Sequence, residues 1–133
     1  MGFAKAKFRV VGDSGAFEGV ALVDGGAWYT VIDEGLARQL GVKYTGLSVT
    51  PTSFSGHRIA CREGIINSVT LEEKTAPSEL VAVCSIHESI KGLLRKQEVE
   101  DRLVIGVHTL ERLGYAVDVV AHKLIESLGI LMI

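Results

Sequence analysis

One stretch of the chain combines residue types and spacing in a way that invites chemistry: Ala21-Leu22-Val23-Asp24-Gly25-Gly26-Ala27-Trp28-Tyr29-Thr30-Val31-Ile32. An apolar run ends abruptly in an acid. Two glycines and an alanine follow, and then an apolar, β-branched run resumes. Glycines permit backbone turns that other residues resist, and they allow another backbone or a substrate to come close. Ala27 keeps the surroundings uncrowded. What this place offers is a carboxylate that other groups can approach. Taken alone, Asp-Gly-Gly is also ordinary turn chemistry. The flanking segments must decide.

Other chemistries find little support. The histidines His57, His87, His108 and His122 show no ligand spacing with one another or with a cysteine, so solvated or capping roles are expected and no metal. No Gly-x-Ser-x-Gly or Cys-His signature points to a nucleophilic hydrolase. Gly12 and Gly15 are not followed by the Gly-Lys-Ser/Thr of a phosphate-binding loop.

The elements that must position Asp24 are mostly strands. Residues 4–11 alternate loosely and are rich in β formers, Gly12-Asp13-Ser14-Gly15 reads as a turn, and 16–23 reads as the returning strand. Residues 28–32 are aromatic and β-branched. Residues 34–40 have short helical character, with Asp33 as N-cap and Gly41 as stop. Residues 47–54 and 57–63 flank Ser55-Gly56 as a hairpin. Strands are expected over 65–71 and 79–85, joined by a polar loop holding Pro77. Leu103-Val104-Ile105-Gly106 precedes a helix over 107–113 that stops at Gly114. Residues 115–120 and 123–125 form a closing hairpin, and 128–133 a final apolar strand. That strand is either an interface strand or an ordinary core strand. Short strands at intervals of roughly 8–12 residues, with two short helices, predict an all-β, barrel-like fold. With no internal repeat and no linker, residues 1–133 are expected to form a single domain.

The chain has 133 residues, 47% of them hydrophobic, and a formal net charge of −2. It can bury a sizeable core. Its apolar content suits a protein that hides more surface in an oligomer. No basic face is implied, so nucleic acid is not an expected partner. The charged stretch 88–102 reads as a solvated helix or loop. Cys61 and Cys84 make no disulfide framework and are expected as reduced, part-buried thiols, with pairing across neighbouring strands the lesser option. The N-terminus lacks an apolar signal core, and 128–133 is too short to cross a bilayer. A soluble cytoplasmic protein with no membrane association is the expectation.

Three features in order resemble the retropepsin-like aspartic proteases, over roughly residues 4–125. The segment around Asp24 is similar to that family's loop of two hydrophobic residues, Asp, Thr or Ser, Gly and Ala. The hairpin of residues 47–63 resembles its flap, with the tip at Ser53, Phe54, Ser55 and Gly56. Val104-Ile105-Gly106, leading into a helix, resembles its second signature. The literal match Asp13-Ser14-Gly15 is a decoy. It lacks an apolar run on its far side and lies too early to have a hairpin behind it.

The resemblance implies a protomer of an acid-protease barrel that dimerises about a twofold axis. Asp24 of each copy would face the other, share one proton and activate a water for hydrolysis of a peptide or unfolded protein, with no cofactor. In the active-site loop, Gly26 and Ala27 fit the family. Gly25 departs from it, because the usual hydroxyl that stiffens the pair across the dimer is missing. A weak but working endopeptidase, an inactive relative kept for peptide binding or assembly, and an altered residue all remain open. Trp28 replaces the acid of retroviral members, and Val107-His108 replaces their helix-opening Arg. Both point to a cellular relative.

Overall fold

A computed structural model describes residues 3–50 and 59–127. Nine strands and three helices are present among them: β1 Phe3–Val11, β2 Ala16–Asp24, β3 Thr30–Asp33, α1 Glu34–Leu40, β4 Lys43–Val49, β5 Cys61–Leu71, β6 Lys74–Cys84, α2 Glu88–Lys96, β7 Leu103–Ile105, α3 Val107–Arg112, β8 Tyr115–Asp118 and β9 Lys123–Glu126. The fold is mostly β, as expected. It has one helix more than expected, because part of the charged stretch is helical.

Seven strands pair in the order β1-β2-β7-β3-β6-β5-β4, and β1 also pairs with β5. The second pairing closes six of them into a barrel and leaves β4 hanging on β5. Closure removes the unpaired edges that an open sheet would present. The core fills the barrel: Ala4, Ala6, Phe8 and Val10 alternate inward from β1 and meet Val23, Ile32, Ile66, Val69, Leu71, Val81 and Ile105. The period-two pattern in the sequence of β1 is the cause of that placement.

Local chemistry ends the elements where the sequence predicts. Gly12 N–H donates to Gly15 O at 2.8 Å, so the Asp13-Ser14-Gly15 decoy is the turn between β1 and β2. The Asp33 carboxylate accepts from Gly35 N–H at the start of α1, and Gly41 closes that helix at φ 75° in the left-handed region. Gly114 ends the turn after α3 at φ 73°.

Two expectations need correction. The loop around Pro77 is absent. β5 and β6 are joined by the tight turn Glu72-Glu73, and Pro77 lies inside β6 opposite Ser68. The turn is possible because Glu72 takes φ 51°, a conformation that marks such two-residue hairpins. The charged stretch is also more than a solvated segment. Leu94 and Val99 are buried and pack with Ile90 against Leu22, Val104 and Phe3. The alternating charges hid this apolar face, since Arg95 is taken up by Glu88 and Asp101 on the outer side. Residues 128–133 lie outside the described residues.

Candidate active site around Asp24

The barrel's connectivity makes the Asp24 loop. β2 pairs in parallel with β7, Leu22 beside Val104 and Val23 beside Ile105. On its other side β7 pairs with β3 in antiparallel fashion, Val31 beside Val104. A chain leaving β2 at Asp24 must therefore cross the end of β7 before it can return as β3. Residues 25–29 make that crossing.

Asp24 ends β2 with only 7% of its surface exposed. Gly26 N–H donates to its Oδ1 at 2.8 Å, and Ala27 N–H donates to its main-chain oxygen at 3.2 Å. The loop thus holds one carboxylate oxygen by a charge-assisted bond. The left-handed glycines among the described residues are Gly41, Gly46 and Gly114. Gly25 and Gly26 are not among them, so the loop does not use the backbone freedom expected of them.

The second signature lies directly beneath. Val104 and Ile105 are buried in β7, and a Cβ on Gly106 would stand 2.2 Å from Tyr29 O. That distance is far inside van der Waals contact, so only glycine fits. The loop is fastened to α3 and its approach by several hydrogen bonds. Val107 N–H donates to Ala27 O at 2.7 Å and His108 N–H to Trp28 O at 3.0 Å. Gly106 N–H donates to Thr30 Oγ1 at 3.1 Å, and Thr30 Oγ1 lies 2.7 Å from Thr109 Oγ1. Thr30 and Thr109 are fully buried. Sequence reasoning missed both, since single threonines in apolar runs carry no pattern that marks them as partners.

A further tie runs toward the hairpin of β4 and β5. Tyr29 O–H donates to Glu63 Oε2 at 2.8 Å, and Thr45 O–H donates to Glu63 Oε1 at 3.0 Å. The hydrogen bond to Glu63, then burial and the charge of Glu63, push the Tyr29 phenol above its ordinary range. Ser53, Phe54, Ser55 and Gly56 lie outside the described residues. At the end of β5 that adjoins the connection from β4, Cys61 is disulfide-bonded to Cys84, with Cα atoms 4.6 Å apart. This corrects the expectation of reduced thiols. The register of β5 and β6, Arg62 beside Val83, sets the two cysteines directly opposite each other. Such opposed, non-hydrogen-bonded pairs approach to about 4.5 Å.

The other histidines are dispersed. His87 caps α2 by accepting from Ser89 N–H, and His122 stacks on Phe3. His108 differs from the solvated role expected of it, since its Nδ1 is buried beside Glu79. Among the described residues no group of His, Cys, Asp or Glu is arranged to hold a metal ion.

A carboxylate on a glycine-containing crossing loop, underpinned by Ile-Gly and a short helix in a closed six-stranded barrel, is the arrangement of a retropepsin-like aspartic protease. The aspartyl protease family model matches residues 6–97, and the chain belongs to that family. The match takes in Asp24 and ends before Val104. Its fold is similar to the crystal structure of a retropepsin-like aspartic protease from Rickettsia conorii, with 20% identity, a TM-score of 0.51, and coverage of 89% of this chain and 94% of that one. No curated protein matches.

Proposed function

We propose that the chain is an aspartic endopeptidase that works as a homodimer, with one Asp24 from each copy. The observation that carries this reading is the state of Asp24. It is nearly buried at a strand end, with Oδ1 held by Gly26 N–H. Among the described residues no hydrogen bond reaches Oδ2. A carboxylate fixed at one oxygen is oriented for work at the other.

Two such groups brought together about a twofold axis cannot both ionise, so they share a proton. Coupled carboxylates of this kind are familiar across aspartic proteases. The ionised member takes a proton from water, and the protonated member donates to the peptide carbonyl. Gly25, Gly26 and Ala27 leave room for an extended peptide and for the partner loop. Ser53, Phe54, Ser55 and Gly56 would cover the peptide as a flap. Val104, Ile105 and Gly106 would support the loop from below. Residues 1–133 would act as a single domain.

Gly25 favours a second reading. Without a hydroxyl it cannot bond across the dimer, which leaves a loosened pair that binds extended peptide by strand pairing without cutting it. Purified protein offered unfolded casein from acid to neutral pH, with and without pepstatin, separates the two. The protease reading expects pepstatin-sensitive cleavage that disappears in Asp24→Asn. Identical behaviour of wild type and Asp24→Asn rejects it.

A further inference from the structure

The barrel buries one carboxylate that the hydrolytic scheme leaves unused. Glu79 on β6 is fully buried. The inward alternation along β6 changes phase beside Ser78, which takes φ 51°, and Glu79 turns toward the interior. All of its protein partners gather on one oxygen. Leu80 N–H donates to Oε1 at 2.9 Å and Arg112 Nη1 lies 3.4 Å away, while the buried His108 Nδ1 stands 3.1 Å away in ion-pair range without hydrogen-bond alignment. Oε2 has no hydrogen-bond partner among the described residues. A buried carboxylate is costly unless cations and donors surround it, and losing one partner of such a group is strongly felt.

Both side chains that face Glu79 come from α3, the helix that carries the Asp24 loop. His108 is the link. Its main-chain N–H donates to Trp28 O at 3.0 Å, and its ring lies against the Trp28 indole with centroids 5.7 Å apart. Trp28 is otherwise 59% exposed, and it is the chain's only tryptophan. On its exposed side nothing among these contacts would hold so large a ring in place.

We propose that Glu79 is a positioning residue for the Asp24 loop, acting through His108 on Trp28. Its buried carboxylate, set beside the imidazole, fixes the ring, and the fixed ring fixes the indole at the loop's outer wall. The consequence for proteolysis rests on the function proposed above; the positioning itself does not.

The lone indole makes the test direct. In Glu79→Gln and in His108→Ala, Trp28 emission is expected to shift to the red and acrylamide quenching to rise. His108→Gln, which keeps a polar tip toward Glu79, is expected to recover part of the wild-type signal. In the His108→Ala background, Glu79→Gln is expected to add no further change. Val10→Ala, a core change at the end of β1 far from Asp24, is expected to lower stability without moving the fluorescence. Where casein is cleaved, kcat is expected to fall on the order of tenfold or more, with less change in KM, as misplaced loops do. Should Glu79→Gln not fold, Glu79→Asp, which withdraws the charge by one methylene, replaces it. Wild-type fluorescence in His108→Ala overturns the proposal, as does an additive effect of the two substitutions. Loss of cleavage in every protein including wild type, with the fluorescence changes intact, counts against the protease reading alone.

Discussion

Gly25 is the residue at which the proposed activity is most directly tested. The backbone there does not occupy the left-handed region, so a β-branched side chain asks for no forbidden conformation. Gly25→Thr should therefore fold. If a threonine hydroxyl restores one bond per protomer, each contributing about 1 kcal/mol, the two together should raise casein cleavage by up to about thirtyfold. Unchanged turnover in a well-folded Gly25→Thr would mean that the glycine is not the weak point. Tyr29 gives a second residue-scale expectation. Its phenol is raised by the hydrogen bond to Glu63. A group whose folded pKa lies above its unfolded one stabilises the fold fully below the unfolded value, near 10 for tyrosine. That contribution is lost as pH rises through the folded value. Absorbance titration should show one of the three tyrosines ionising late, and Tyr29→Phe should remove that late phase.

At the scale of elements, the crossing loop depends on close approach to β7 and α3. Gly106→Ala would drive a methyl into Tyr29 O, 2.2 Å from the added carbon. Overpacking of this kind costs typically 1–3 kcal/mol and sometimes more, measurable as a lower midpoint in urea. A wild-type midpoint would show that loop and strand can part freely. The disulfide joins β5 to β6 across a separation of 23 residues. Closing a loop of that size contributes about 3 kcal/mol through the unfolded chain. Thermal unfolding with and without reductant, beside the double variant Cys61→Ser and Cys84→Ser, should reveal the difference. α2 belongs to this scale too. By burying Leu94, with Val99 just beyond its end, against Leu22 and Val104, it covers the outer face of the two strands that lead to Asp24 and Gly106.

For the whole molecule as proposed, a homodimer, the decisive quantity is the equilibrium between one copy and two. A site assembled from two chains must weaken on dilution, because subunit association follows mass action. Specific activity on casein should fall as protein concentration drops, in step with the monomer fraction seen by light scattering. A strict monomer at tens of micromolar that still cleaves would refute the shared site. Among the described residues no helix is long and apolar enough to cross a membrane.

Much of this was legible in the residues themselves. The alternation of β1, the Gly12-Asp13-Ser14-Gly15 turn, the Asp33 cap and the Gly41 stop act over a few positions, where local sterics and hydrogen bonding prevail. The three motifs that suggested the family are local in the same way, and the family and the barrel followed from their order. What the sequence could not disclose were encounters between distant segments. The Thr30–Thr109 contact spans 79 positions, and the Cys61–Cys84 bond waits on a register that a one-residue slip would undo. Glu79, an acid in a strand, carries no local mark of burial; only the turning of β6 and the docking of α3 bury it beside His108 and Arg112. Asp24 itself was determined by its place in the chain. That Gly26 holds one of its oxygens, over a glycine that admits no side chain, was decided by the barrel, because β7 had to pass between the strands on either side of the loop.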